Sequence, residues 1–338
     1  MNKKTNDILT AAMLGLGSAV AIGTFIGNTI YDSTINRKHK TLFKHSFLKE
    51  DNLISGQFKR TDAFRDAIAW AEKTPITEMD IAAVDEIYLH AYCFEQSRKT
   101  DKWVIAFHDY SQGSASMFTT AMQFYQKGYN VVLPETRGTG KSGGKCYGMG
   151  WKDRLDVISW IDHILKVCPE AQIVLYGIST GADAVLMASG EELPASVKCI
   201  IEDSAYSVLM DVFNLEIKRH GFPAFPANYA TSIVTRIRAG FTLSEASAVK
   251  QVEESVTPIL FIHGEKDEIF PPEMGSQLYN AAQCEKEMLM IPEASHMYGM
   301  YADWDLYWNK VWEFTEKHIS ESINIPNHFL NRFTKNAK

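Results

Sequence analysis

The stretch QIVLYGISTGADAVLM, residues 172–187, gives the strongest indication of the fold. Its first five residues form an apolar run, which is typical of a strand covered on both faces. The motif Gly-x-Ser-x-Gly at residues 177–181 follows directly, and a helical pattern begins at residue 182. A serine at such a strand-to-helix turn needs glycine neighbours, because larger side chains would clash there. The stretch therefore makes Ser179 a candidate nucleophile, with a tight turn of no chemical meaning as the alternative.

Further apolar runs have the same character as residues 172–176, and helical patterns lie between several of them. The runs are residues 103–107, 130–133, 198–201, 258–262 and 288–291, and the clearest helical patterns are residues 155–165 and 304–314. Strands that alternate with helices predict a mostly parallel, doubly wound α/β sheet. In such sheets functional residues gather at the carboxyl ends of the strands.

The composition limits the possible functions. The chain has 338 residues, of which 46% are hydrophobic and 22% charged, so it can bury a sizeable core. Its formal net charge is −7, which argues against a nucleic-acid partner because binding phosphates requires a positive field. The five cysteines are widely spaced and lack the spacing of a zinc or redox motif. No metal and no cofactor is expected.

The N-terminal region differs from the rest of the chain. Residues 8–31 carry no charge and are numerous enough to cross a bilayer core of about 30 Å. Gly23 and Gly27 are spaced so that a second helix could approach closely. We expect an uncleaved, single-pass membrane anchor. A signal peptide cleaved after Ala21 and an ordinary buried helix remain alternatives.

A serine nucleophile needs an adjacent base, which a third group orients. His296 follows the last apolar run and is the candidate base. Asp267 lies just beyond the run at residues 258–262 and is the candidate acid, because it keeps the chain order Ser, Asp, His. Asp203 follows another strand and is the rival acid. His263 ends a strand and is interpreted as a packing residue.

These motifs resemble the α/β-hydrolase superfamily, in its branch of serine aminopeptidases and monoacylglycerol lipases. The chain is similar in particular to the membrane-anchored "cell-surface hydrolases" of Gram-positive bacteria. The resemblance covers about residues 76–320 and is carried by residues 137–144 (RGTGKSGG), 177–181 (GISTG), 263–267 (HGEKD) and 295–296 (SH). It implies an α/β-hydrolase fold and a catalytic triad of Ser179, Asp267 and His296.

The sequence pattern, together with the resemblance, predicts a domain organisation. Residues 1–50 are expected to form the anchor and a linker, and residues 51–338 the α/β-hydrolase domain. A small helical cap is expected at about residues 204–244, where the strand–helix rhythm breaks and aromatic residues accumulate. Ordinary packing of a loop is the alternative for this segment. The resemblance places the catalytic domain outside the cytoplasm. The positive-inside rule instead favours a cytoplasmic domain, because two lysines precede the anchor and three basic residues, Arg37, Lys38 and Lys40, follow it.

An oxyanion hole follows from the same resemblance. Backbone N–H groups of Tyr110 and Thr180 would stabilise the developing negative oxygen. The sequence departs from the family at Asp109, where glycine usually follows the histidine His108. The expected activity is hydrolysis of a carboxylic ester of a small acylated substrate without a cofactor. A serine aminopeptidase is the alternative, and from another class a catalytically inactive, membrane-anchored binding protein on the same fold.

Overall fold

The computed structural model describes residues 21–38 and 61–320. One eight-stranded sheet runs through the domain, with strand order β1-β2-β4-β3-β5-β6-β7-β8. The strands are β1 (Thr77–Ala82), β2 (Tyr88–Phe94), β3 (Lys102–Phe107), β4 (Asn130–Pro134), β5 (Gln172–Ile178), β6 (Val197–Asp203), β7 (Ile259–Gly264) and β8 (Lys286–Ile291). This is the doubly wound arrangement that the sequence predicts, in the strand order of an α/β-hydrolase.

Helices connect the strands and cover both faces of the sheet. The first helix, α1, is described from residue 21 and ends at residue 34. The others are α2 (Asp62–Lys73), α3 (Phe118–Gln126), α4 (Asp153–Val167), α5 (Thr180–Ala188), α6 (Leu209–Arg219), α7 (Ala224–Ala239), α8 (Ala248–Glu254), α9 (Pro272–Ala281), α10 (Gly299–Ala302) and α11 (Trp304–His318). Two hydrophobic cores result, one on each face of the sheet. Trp160 of α4 is buried in one core and Trp308 of α11 in the other.

The six predicted strands are confirmed and pair in parallel, from β4 through β3 to β8. The sequence analysis did not predict two of the strands, β1 and β2. β1 and β2 form an antiparallel pair, and β2 also pairs antiparallel with β4. β1 is the edge strand and exposes most of its residues, so it lacks the continuous apolar run that marks the central strands.

Two helices, α6 and α7, occupy the expected cap segment between β6 and β7. Phe213 of α6 and Val234 of α7 are buried in the same core as Trp160. The cap therefore continues the core on one face of the sheet instead of forming a separate unit.

The α1 helix packs directly on the cap. A Cβ atom at Gly27 would lie 2.6 Å from the carbonyl oxygen of Ala230, so only glycine allows this approach to α7. Arg238 of α7 forms a 2.7 Å ion pair with Asp32, and Tyr31 is buried in the core. The close helix contact expected at Gly27 is thus made within the chain, although the sequence assigned residues 1–50 to an anchor and linker.

The predicted membrane anchor is described only in part. Its residues 8–20 lie outside the described residues. Within residues 21–38 and 61–320, no helix is long and apolar enough to cross a membrane.

Candidate active site

Ser179 lies at the turn between β5 and α5 in a strained backbone conformation, with φ 53° and ψ −124°. Positive φ is uncommon for a residue with a side chain. The flanking glycines make the turn possible. A Cβ atom at Gly177 would lie 2.3 Å from the Gly181 carbonyl oxygen, and one at Gly181 would lie 2.2 Å from the Phe107 carbonyl oxygen. The Gly-x-Ser-x-Gly motif is therefore a steric requirement of this turn.

The three residues of the predicted triad meet at the carboxyl ends of β5, β7 and β8. Ser179 Oγ lies 2.8 Å from His296 Nε2, and His296 Nδ1 lies 2.7 Å from Asp267 Oδ2. All three side chains are buried. The distances are those of a nucleophile, a base and an orienting acid joined by hydrogen bonds.

The charge on Asp267 sets the tautomer of His296. Burial alone would raise the pKa of the Asp267 carboxyl, but His296 and a second histidine, His263, lower it to about 2. The other carboxylate oxygen accepts hydrogen bonds from the backbone N–H groups of Ile269 and Phe270, at 2.9 and 2.8 Å. An ionised carboxylate only accepts hydrogen bonds, so Nδ1 of His296 donates and Nε2 is left to accept a proton from Ser179.

The rival acid, Asp203, has a different role. Its carboxylate accepts hydrogen bonds from the hydroxyl groups of Tyr307 and Ser204, both at 2.8 Å. Burial raises the pKa of Asp203, although these two hydrogen bonds oppose the rise. The acid that is hydrogen-bonded to His296 Nδ1 is therefore Asp267 and not its rival Asp203.

His263 was interpreted from the sequence as a packing residue, and it is fully buried. Its Nε2 lies 2.8 Å from the Phe270 carbonyl oxygen and 3.4 Å from Asp267 Oδ2. Burial disfavours the charged imidazole, but the neighbouring Asp267 carboxylate raises the pKa of His263 to about 9. The interaction with His263 thus helps to keep Asp267 ionised. The only sequence signal was the spacing of four residues between the two side chains.

The two predicted oxyanion-hole residues are hydrogen-bonded to each other. The Tyr110 N–H donates to Thr180 Oγ1 at 2.9 Å, and the Thr180 hydroxyl donates to Asp109 Oδ1 at 3.2 Å. Asp109 is buried and also accepts from the N–H of Ser111 at 2.9 Å. The unusual carboxylate therefore orients the Thr180 hydroxyl so that its oxygen faces the Tyr110 N–H. From the sequence we expected only the backbone of Thr180 to matter, and that expectation missed this contact.

We expect Thr180→Val to raise kcat for ester hydrolysis about tenfold. Valine keeps the shape of threonine but removes the acceptor that competes for the Tyr110 N–H, and one oxyanion donor is worth roughly 10²–10³ in kcat. Steady-state kinetics on p-nitrophenyl butyrate measures the effect. Thr180→Ser, which keeps the hydroxyl, should show no such rise. A fall in kcat for Thr180→Val alone would mean that the hydroxyl supports the loop instead of competing with the oxyanion.

The pocket above Ser179 is nearly closed, with a cavity of about 20 Å³. That volume accommodates roughly one water molecule. Its wall is mostly apolar and includes Met149, Leu209, Val212, Phe213, Ile269 and Phe270. Among the described residues no group of histidine, cysteine and acidic side chains could hold a metal ion.

The fold and this site define a serine hydrolase of the α/β-hydrolase fold. The family model of the prolyl oligopeptidase family (peptidase family S9) matches residues 116–322, more than half of the chain. The chain belongs to this family. The superfamily predicted from the sequence is confirmed, whereas the branch of serine aminopeptidases and monoacylglycerol lipases stays a prediction.

Relatives with similar sequences occur in bacteria and in yeast. The Bacillus subtilis protein YqkD is 24% identical over 197 residues, which cover 57% of this chain and 64% of YqkD. Escherichia coli YfhR is 28% identical over 176 residues, 51% of this chain and 55% of YfhR. Each match spans less than two thirds of these two relatives. Protein bem46 of Schizosaccharomyces pombe is 25% identical over 224 residues, 64% of this chain and 70% of bem46.

Solved structures share the fold. An esterase of Pyrococcus furiosus, Pf2001, superimposes with a TM-score of 0.60 and 22% identity, over 73% of this chain and 94% of the esterase. An acylaminoacyl peptidase of Pyrococcus horikoshii gives a TM-score of 0.55 and 17% identity, over 74% of this chain and 43% of the peptidase. At these identities the similarity establishes the fold alone.

Proposed function

We propose that this chain hydrolyses carboxylic esters of small acylated substrates through a serine acyl-enzyme. The observation that carries the proposal is the hydrogen-bonded series Ser179–His296–Asp267 beneath a mostly apolar pocket. Apolar walls suit a hydrocarbon group, because removing such a group from water is favourable.

The arrangement supports a two-step reaction. Ser179 Oγ attacks the ester carbonyl carbon while its proton moves to His296 Nε2. The negative oxygen that forms lies near the N–H of Thr180, at the start of α5, where helical N–H groups have no partner within the helix. His296 then gives the proton to the departing alkoxide, which leaves as an alcohol. Water, activated by His296, hydrolyses the acyl-enzyme and regenerates Ser179.

Peptide hydrolysis is the second candidate, because the chain belongs to a family of peptidases. An aminopeptidase needs an acidic group to bind the free amine of its substrate. Within the described residues, Asp109 is the one carboxylate that lines the catalytic pocket. Its oxygens already accept hydrogen bonds from Thr180 and Ser111. Because the Asp109 oxygens are already hydrogen-bonded within the protein, the arrangement favours an ester over a substrate with a free amine.

The experiment that tests the proposal compares two substrates that differ at the scissile bond. We expect the purified full-length chain to hydrolyse p-nitrophenyl butyrate with a kcat/KM at least 100-fold above that for alanine p-nitroanilide. A preference for the anilide would identify an aminopeptidase. A fluorophosphonate probe reports whether Ser179 reacts at all, so an unlabelled chain without turnover would identify an inactive binding protein.

We further propose that the protein associates with a membrane through its N-terminal region. An apolar patch on α1, α7 and the turn before α7 supports this proposal. The patch consists of Ile22, Phe25, Phe222, Phe225, Tyr229, Ile233 and Ile237, all exposed. Phe25 and Ile237 expose 73% and 77% of their surface, and exposed apolar patches of this kind mark interaction sites. The uncharged residues 8–20 directly precede the described part of α1, so we expect the patch and that segment to enter the same bilayer surface.

Cell fractionation tests the membrane proposal. The full-length chain should sediment with membranes and resist extraction by high salt, because salt screens charges and not apolar contacts. The double variant Tyr229→Asp, Ile233→Asp should bind phospholipid vesicles at least tenfold more weakly. Val256→Asp is the matched control, since Val256 is also exposed but lies outside the patch. Recovery of the unmodified chain in the soluble fraction would contradict the proposal. So would an unmodified chain that forms a dimer and does not bind vesicles.

A further inference from the structure

A second cavity lies between α1 and the cap. Its volume is about 330 Å³, at the lower end of the range for small-molecule sites. Side chains of α1, α6 and the segment entering α7 form its walls, including Phe25, Ile26, Ile30, Ile217, Phe222 and Pro226. These walls are predominantly hydrocarbon, so the cavity suits an apolar ligand.

The hydroxyl groups that α1 contributes to this cavity are committed within the helix. Thr29 donates to the Phe25 carbonyl at 2.8 Å, and both Ser33 and Thr34 donate to the Ile30 carbonyl, at 2.8 and 2.7 Å. A ligand in the cavity would therefore meet side chains whose hydroxyl protons are already used. That arrangement favours a hydrocarbon chain over a polar ligand that needs donors.

Two side chains connect this cavity to the catalytic pocket. Thr34 and Phe213 line both of them. Both residues are buried, Phe213 with 2% of its surface exposed. The two spaces thus share a wall one side chain thick. The pocket above Ser179 has a volume of only about 20 Å³, so a substrate longer than a short ester requires additional space. The cavity on the other side of the shared wall provides that space.

We propose that the cavity between α1 and the cap binds the acyl chain of a medium- or long-chain ester whose carbonyl carbon reacts at Ser179. This inference rests on the proposed ester hydrolysis. The acyl part stays bonded to Ser179 in the acyl-enzyme, whereas the alcohol must depart. The acyl part therefore needs a site that holds it through both steps, and the apolar cavity beside the catalytic pocket offers one. Rotation of Phe213 opens the shared wall, and the chain then extends past Thr34 along α1.

The proposal assigns a function to α1 that the sequence did not indicate. An apolar helix before a catalytic domain is usually interpreted as an anchor. Here its residues 25–34 form one side of the acyl-chain site. The side chains of α1 that line the cavity thus determine which acyl-chain lengths the enzyme accepts.

The experiment fills the cavity from either wall. Ala227→Trp on α7 and Ile26→Trp on α1 each place an indole in the cavity of the full-length chain. The readout is the ratio of kcat/KM for p-nitrophenyl octanoate to that for the butyrate. Each methylene buried in an apolar site is worth roughly a fourfold gain. We expect each variant to lower the ratio at least tenfold.

Val256→Trp is the matched control. Val256 is exposed and lies outside the apolar patch, and it is not among the residues that line the cavity between α1 and the cap, so this variant should leave the ratio unchanged. An unaltered ratio in both filling variants, with butyrate turnover retained, would overturn the acyl-chain site and leave the esterase proposal standing. If one variant fails to fold, the other still tests the same cavity. Absence of ester turnover in the unmodified chain would instead overturn the proposed function itself.

Discussion

Ser179→Ala should reduce kcat for p-nitrophenyl butyrate by roughly 10⁵- to 10⁶-fold, the scale of loss when a triad nucleophile is removed. His296 Nε2 lies 2.8 Å from Ser179 Oγ, the hydroxyl that it would activate. The residual rate would come from binding and from the oxyanion hole. The same variant should lose all labelling by a fluorophosphonate probe.

Ser189→Ala provides the matched control for this loss. Ser189 is also buried, and its hydroxyl donates to the Leu186 carbonyl at the end of the helix that Ser179 precedes. Its replacement removes one hydrogen bond, worth about 1 kcal/mol of stability, and should keep kcat within about twofold. Ester turnover by Ser179→Ala within tenfold of the unmodified chain would exclude Ser179 as the nucleophile.

The sequence was sufficient for the parts of the fold that depend on local pattern. β5 and β7 are buried throughout and consist mainly of apolar residues, because both of their faces are covered, and such runs are visible without a structure. The steric demand at Gly177 and Gly181 is also local. Because the strands are parallel, residues that follow β5, β7 and β8 must meet at one edge. Because of that geometry, the order of the residues along the chain was enough to predict that Ser179, Asp267 and His296 lie close together.

What the sequence did not indicate depends on partners far along the chain. The apolar pattern of residues 21–31 is compatible with a bilayer and with a protein surface, since both bury hydrocarbon. Only the position of Ala230, about two hundred residues later, shows that Gly27 packs on the cap. The same limit applies to the oxyanion loop. Tyr110 and Thr180 are seventy residues apart in the sequence, so no local pattern indicates the hydrogen bond between them.

Asp267→Asn should lower kcat by roughly four powers of ten while the chain remains folded. The Asp267 carboxyl, with its pKa lowered to about 2, is ionised throughout the neutral range and accepts a hydrogen bond from the N–H at His296 Nδ1. An asparagine can turn its amide NH₂ toward Nδ1, which then carries the lone pair. Nε2 would hold the proton and could no longer accept one from Ser179.

Asp203→Asn makes the same chemical change on the neighbouring strand end, so the pair of variants isolates the role of the acid. Asp203 accepts hydrogen bonds from Tyr307 and Ser204, and its replacement should lower the melting temperature but keep kcat within about tenfold. We would compare kcat of both variants on p-nitrophenyl butyrate, with thermal unfolding as the readout for stability. If Asp203→Asn removed turnover and Asp267→Asn did not, Asp203 would be the acid of the triad. The hydrogen bond between His296 and Asp267 would then be structural, despite its length of 2.7 Å.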